Sequence, residues 1–439
     1  MLKRWAPPAA APAPEVPPEV RRHLRRNYLS HCLDGGLFIG GVAFVAPDTL
    51  IPPLLEELGT PGFFVALSPS LMLLGFMLTP LLVAHVVEGK RQVYNLVVGA
   101  GFFQRLPYLL AALALFAAGL FPNWMVQAAI ILAPFVSGLV GGFAATAWIQ
   151  LIAKALPPHR RASASAIRNT IGAALGFAAG LVTKGLLEAM PGTTGYAWLH
   201  LIAYVLLMAS LAVIARIREP DTAAETPPKR DFVQNLRSIP QILREDRQYR
   251  RFMLSIACSQ GFLIMVPWMA IHARTTLDAP LQFLGTLLAA KSLGIFAGNF
   301  AAAFLGDNFG GKTVFIVAYS AWLLVAVVAL LATSELGFIL MFGLFGMGFT
   351  MNMVGRQTLA LELAAPNRLP TYIALLMSGV APFMLASAGL ATAAKGISDA
   401  LGGAFWPIAL PAFVSTAAAL AFMLKVREPR YAEGSENAA

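Results

Sequence analysis

VQAAIILAPFVSGLVGGFAATAWIQLI, residues 126–152, contains no Asp, Glu, Lys or Arg. As a helix rising 1.5 Å per residue it is about 40 Å long, more than the roughly 30 Å hydrocarbon core of a bilayer. TVFIVAYSAWLLVAVVALLAT, residues 313–333, has the same character. Neither stretch alternates apolar and polar residues, as the strands of an outer-membrane barrel must, so both read as membrane-spanning helices. The surrounding chain agrees. Its 439 residues are 58% hydrophobic and 12% charged, about half the charged share of a soluble domain, which excludes a soluble globular protein.

Charged and Pro/Gly-rich breaks divide the chain into twelve apolar segments near 28–52, 61–87, 93–119, 124–153, 165–188, 195–216, 251–273, 280–305, 313–333, 337–362, 370–394 and 404–425. The polar stretch from Arg218 to Arg251 separates two sets of six. It carries Pro220, Pro227 and Pro228 and then DFVQNLRSIPQILREDRQYRRFM, which reads as an amphipathic linker. The expected organisation is a disordered cytoplasmic tail at 1–27, six-helix bundles at 28–217 and 251–426, a cytoplasmic linker with an amphipathic helix at 218–250, and a second tail at 427–439. APPAAAPAPEVPPEV near the start lacks the apolar core and cleavage site of a secretory signal.

Basic residues set the orientation. With both termini cytoplasmic, that side receives the tails, the linker, Lys90, Arg91, Lys154, Arg160, Arg161, Arg168, Lys312 and Arg368, and the opposite side only Arg274 and Lys395. Glu56, Glu57, Asp278, Glu335 and Asp399 fall on that opposite side, the asymmetry expected of an inner-membrane protein. The net charge of +10 is thus assigned to cytoplasmic loops rather than to nucleic-acid binding. Cys32 and Cys258 lie in apolar stretches and have no metal-ligand spacing; no cofactor or metal is expected.

Two short matches recur half a chain apart. ARIREPD (Ala215 to Asp221) and LKVREPR (Leu424 to Arg430) close the sixth and twelfth segments, and LSHCLDGG from Leu29 and LSIACSQG from Leu254 open the first and seventh. They favour two parallel six-helix halves. Between segments 8 and 9 lies AFLGDNFGGKTVF, Ala303 to Phe315. This resembles the signature loop of the major facilitator superfamily through Leu305, Asp307, Gly310 and Lys312, with Ala303 where the family's first Gly is usual. The first-half loop VAHVVEGKRQVY keeps Gly89, Lys90 and Arg91 but has His85 near the acidic position. The resemblance implies an all-α membrane protein of twelve transmembrane helices in two pseudo-symmetric bundles. It also implies that Asp307, Gly310, Lys312, Gly89, Lys90 and Arg91 form gating loops. Gly172, Gly176 and Gly180 share one face of segment 5 and are expected to permit close helix packing.

Ionisable groups at bilayer depth are costly and mark functional positions. Arg105 lies about twelve residues into segment 3, roughly 18 Å deep, and Lys291 is about as deep in segment 8. In the facilitator fold segments 1, 4, 7 and 10 line the cavity and 2, 5, 8 and 11 gate it. By that analogy Lys291 faces substrate and Arg105 supports a neighbour. Asp34 is the one carboxylate well inside the first half; the readings open to it are an ion pair with Arg105, proton coupling, or interfacial exposure. Trp148, Gln260, Trp268 and Asn352 are uncharged substrate-binding candidates, each with the alternative of a helix-to-helix hydrogen bond. Arg356 is a further candidate, with a gate ion pair to Glu362 or snorkelling as alternatives.

Two deep cations against one deep carboxylate favour an anionic or carboxylate-bearing solute. The expected function is a secondary transporter, monomeric, moving a small molecule with H+ by alternating access among membrane lipids. GDNFGGKT, Gly306 to Thr313, fits the letters GxxxxGK[ST], but it lies between two apolar segments with no strand before it, so it is not read as an ATP loop. A proton-driven multidrug antiporter is the alternative, and a non-transporting sensor a third. A lipid enzyme is disfavoured by the lack of a metal cluster or Ser/His/Asp set.

Overall fold

The computed structural model describes residues 16–79, 92–221, 242–363, 372, 375–376 and 379–428. The first half contributes α1 (Pro18–Ala43), the short α2 (Ile51–Glu57), α3 (Gly62–Leu67) and α4 (Leu71–Leu78), then α5 (Tyr94–Phe116), α6 (Asn123–Ala155), α7 (Pro158–Ala189) and α8 (Thr193–Ile214). The second contributes α9 (Arg247–Ser259), α10 (Val266–Leu277), α11 (Phe283–Phe309), α12 (Gly311–Leu331), α13 (Glu335–Leu363), α14 (Ala381–Ala400) and α15 (Trp406–Leu424). Among the described residues nine helices are long and apolar enough to cross a membrane, with Arg247–Leu277 counted as one. The second segment runs into residues 80–91, outside the described residues. α1 falls short because Arg21, Arg22, Arg25, Arg26, Ser30, His31 and Asp34 dilute its apolar content, and α14 carries Lys395 and Asp399.

Three expected boundaries move. α1 begins at Pro18, so residues 18–27 of the expected disordered tail are helical. A proline fits the first turn, where its missing N–H has no partner to lose, and Asn27 is fixed by reciprocal 3.0 Å hydrogen bonds with the Arg218 backbone. Charges at a bilayer surface change a helix's surroundings, not its geometry. The helix also stops at Ala43 rather than near 52. Ala46 turns the chain at a φ of 28°, and Pro47 cannot donate to a continuing helix. The fifth helix starts at Pro158, not 165, which places Arg168 ten residues along it rather than three.

One end of the bundle gathers the start of α1, the α6–α7 and α11–α12 turns and the Arg218 and Arg427 regions; this is called the linker end. The far end gathers the turns after α1, α5, α7, α10, α12 and α14. The two Arg-Glu-Pro repeats serve the linker end alike. The Glu219 carboxylate accepts from the backbone N–H of Val93 and Tyr94, each at 2.9 Å, and pairs with Lys154 at 2.8 Å. In the second half the Glu428 carboxylate accepts from the Lys312 N–H at 3.0 Å. Each glutamate satisfies unpaired amides at the start of the third helix of its half, where the helix dipole favours negative charge.

The lobes meet most extensively where α7 crosses α11. Gly176 faces Ser292, and a side chain at Gly180 or Gly285 would overlap the opposing backbone at Ala289 or Lys184. The small-residue face of segment 5 therefore closes on the other lobe, toward the far end. Gly62 approaches Thr392 at the same end.

Candidate substrate cavity and lobe contacts

A cavity of about 290 Å³ lies among the helices of the first lobe, lined by Asp34, Gln104, Arg105, Trp148 and Arg168 with apolar neighbours such as Phe38 and Phe76. α1 presents Asp34 5% exposed and α5 presents Arg105 5% exposed. The Arg105 guanidinium donates to the Leu207 carbonyl at 2.7 Å, the Gly101 carbonyl at 2.8 Å and Ser210 Oγ at 2.9 Å. Ser210 in turn donates to Asp34 Oδ1 at 2.7 Å, and the nearest Arg105–Asp34 approach is 3.7 Å. Arg105 is consumed in joining α5 to α8 and, through Ser210, to α1.

The other guanidinium has more freedom. Arg168 stacks over the Trp148 ring, 5.1 Å from its centroid, and interacts electrostatically with Asp34. Its Nε has no hydrogen-bond partner among the described residues. The side chain runs across Gly35, where any Cβ would overlap it. By sequence Arg168 counts among the cytoplasmic charges, three residues into a segment near 165–188; ten residues of helix precede it instead. His31 packs against Trp148 with ring centroids 5.6 Å apart.

Lys291 is not the unmatched cation inferred from the sequence. Its Nζ donates to both carboxylate oxygens of Asp48 at 2.6 Å, and lies 5.7 Å from the Phe345 ring centroid. Asp48 belongs to the first lobe, in the turn after α1, so this pair bridges the lobes. Its sequence separation of 243 residues hid it. Two more bridges follow the same polarity at the far end: Arg274 meets Glu57 at 2.9 Å and Lys395 approaches Glu56 at 3.9 Å. Burial pushes the Glu56 carboxyl above the ordinary carboxylate range, against the opposing pull of Lys395. In all three bridges the acid is in the first lobe and the base in the second.

The remaining candidates are more scattered. Gln260 Nε2 donates to the Ile256 carbonyl at 3.0 Å and to Ser259 Oγ at 3.2 Å. Trp268 Nε1 donates to the Ala391 carbonyl at 3.2 Å, fixing it against α14. Both have thus found the helix-to-helix or local partners that were the alternative to ligand contact. Asn352 and Arg356 lie on α13, 1% and 6% exposed, and Arg356 makes no ion pair with Glu362 among the described residues. At the signature loop, Asp307 is exposed on the last turn of α11. Gly310 turns the chain at a φ of 86°, and a side chain there would strike the Glu428 carboxylate. Lys312 Nζ donates to the Leu424 carbonyl at 3.0 Å. Gly89, Lys90 and Arg91 lie outside the described residues.

The Major Facilitator Superfamily model matches residues 36–278, more than half of the chain. In fold the chain is similar to the nucleoside transporter NupG, at 13% identity and a TM-score of 0.63 over 91% of this chain and 100% of that one. It is similar to a D-xylose-proton symporter at 14% identity and 0.66, over 93% and 99%. It also resembles a bacterial homolog of the human lysosomal transporter Spinster, in an inward-facing and unoccupied conformation, at 13% identity and 0.54, over 94% and 95%. No curated protein matches the chain. Two helical halves, a polar cavity and the match across the first half and into the second place this multi-pass membrane protein in the major facilitator superfamily. It is a transporter, not an enzyme.

Proposed function

We propose that the protein is a secondary transporter of the inner membrane, with both termini cytoplasmic, that carries a small carboxylate-bearing solute by alternating access with H+ as the coupling ion. The observation that supports this most is the partnerless Arg168 Nε beside a cavity whose charged walls are two guanidiniums and one carboxylate. An anionic solute balances that excess, and a buried anion is recognised best by a charge-assisted, forked donor. Trp148 offers a flat apolar wall for the rest of the molecule. Lys291 moves from substrate ligand to the contact between lobes, where its ion pair must break if the far end opens.

Asp34 suits proton coupling because its carboxylate lies buried against Ser210 and Arg105 and interacts with Arg168, so a solute anion arriving at Arg168 competes with it for the same cation. ATP is not the energy source in this reading, because the GxxxxGK[ST] match at Gly306–Thr313 joins the end of α11 to the start of α12 with no strand before it. Uptake into proteoliposomes, measured for a panel of carboxylates and organic cations with and without a pH gradient, tests the reading. Carboxylate uptake that Arg168→Gln weakens by about tenfold or more, the worth of a charged hydrogen bond, is the expected result. Transport of cations alone, unaffected by Arg168→Gln, would replace the anion reading with drug export.

A further inference from the structure

We propose that the second lobe contains its own anion site, centred on Arg356 and separate from the first-lobe cavity. Arg356 is 6% exposed. Among the described residues it forms no ion pair, and its Nε has no hydrogen-bond acceptor. Two more donors lie on the adjoining surfaces: Trp322 Nε1, on a residue 7% exposed and without a partner, and Asn352 Nδ2, on a residue 1% exposed, whose one neighbour of this kind is the Tyr319 hydroxyl. They belong to one cluster. Trp322 packs on Gly348 of α13, one turn before Asn352 and two before Arg356. Tyr319, one turn from Trp322 on α12, has its ring centroid 6.1 Å from that of Trp322. The Tyr319 hydroxyl interacts with Ser255, Ser259, Asn352 and Arg356, and Ser255 Oγ lies 3.3 Å from it.

The chemistry of this cluster leans toward donors. The guanidinium and the indole N–H only donate, while the Asn352 amide and the Tyr319, Ser255 and Ser259 hydroxyls can donate as well as accept. A cation held this deep without a counter-charge is expensive, and the shell around it is the one an anion requires. The internal repeat shows what is missing. LSHCLDGG and LSIACSQG place Ser259 where the first lobe has Asp34. The first lobe supplies its arginines with a built-in carboxylate, and the second supplies a hydroxyl and leaves the charge to a ligand. The ligand is a small monoanion: either the carboxylate of the transported solute or a free inorganic or organic anion from solution.

Trp322 makes the site its own reporter. The whole protein in nanodiscs is titrated with sodium formate or sodium chloride against sodium gluconate at constant ionic strength, following tryptophan fluorescence and thermal stability. A saturable fluorescence change together with stabilisation is expected. Arg356→Gln should abolish both, and Asn352→Ala, a milder change on the same helix, should weaken binding by about tenfold. Trp322→Phe should remove most of the optical signal and, with one donor lost, weaken the stabilisation without abolishing it. The titrations are made on an Arg168→Gln background, so that anion binding at the first-lobe cavity, beside Trp148, does not mask this site and the result stays independent of the transport assay. Competition by a transported carboxylate identifies the solute as the occupant, and formate or chloride binding without competition identifies a free anion. No saturable response, or one that survives in Arg356→Gln and Asn352→Ala, means the donors hold buried water and overturns the proposal.

Discussion

Asp48→Asn is the most direct test of how the far end is kept shut. The carboxylate receives the Lys291 ammonium through both oxygens at 2.6 Å, with the two side chains only 15% and 10% exposed. Removing one partner of a buried ion pair costs roughly 3–5 kcal/mol when the other charge stays buried. Here the residual exposure and the chance of rehydration when the lobes part lower the expectation to about 2 kcal/mol, or roughly thirtyfold in the balance between closed and open far ends. The loss falls on the closed state because the pair exists only while the lobes touch. Spin labels on Thr194→Cys in the first lobe and Thr275→Cys in the second, with Cys32 and Cys258 replaced, report that separation. The asparagine variant should shift the distance distribution toward longer values. Lys291→Met should do the same, and the exchanged pair Asp48→Lys with Lys291→Asp should recover part of the short-distance population. Unchanged distributions in both single variants would refute the reasoning, since a contact worth this much cannot be removed without moving a two-state equilibrium.

Asp34→Asn should leave solute exchange measurable while removing the effect of a pH gradient on net uptake; gradient-driven uptake at the wild-type level would return Asp34 to a purely structural role. Gly180→Leu drives a side chain into the α11 backbone at Ala289, so the same spin labels should report an opened far end, and an unaltered distance would show that α7 and α11 can give way. Glu219→Gln and Glu428→Gln each weaken the electrostatic cap on a helix start and should cost about 1 kcal/mol, read as a lower thermal midpoint. The larger loss is expected at Glu219, which also holds Lys154 at 2.8 Å.

Hydropathy made the architecture legible, since each spanning segment must satisfy its backbone internally and so declares itself by length and apolarity. Positions along one helix could also be read: the depth of Arg105 follows from 1.5 Å per residue, and its supporting role from the helix it occupies. Arg168 was missed for a local reason. The run HRRASASAIRN looks like a loop by charge, although Pro157 and Pro158 start a helix there and carry Arg168 about 15 Å along it. Glu219 and Glu428 stood in the repeat as markers of symmetry, and only their placement against amides in another helix reveals their work.

The Asp48–Lys291 pair was beyond the sequence for a deeper reason, and that reason bears on mechanism. An ion pair inside one lobe can be anticipated from two charges at similar depth in neighbouring segments, as with Asp34 and Arg105. A pair between lobes joins residues from different repeats whose proximity depends on the conformation, so no pattern in either half requires it. The three bridges at the far end share this property, with Asp48, Glu56 and Glu57 in one lobe and Lys291, Lys395 and Arg274 in the other. Charges paired within a lobe travel together through a rocking motion and resist it not at all. Charges divided between lobes attract only in one state, and each can be rehydrated when that state opens, so they bias the equilibrium without locking it. The three acids of these bridges stand on one side and their three bases on the other, so every cross-pairing among the six is attractive and the clasp tolerates small shifts in how the lobes meet, while Asp399 of the second lobe shares Lys395 at 2.6 Å.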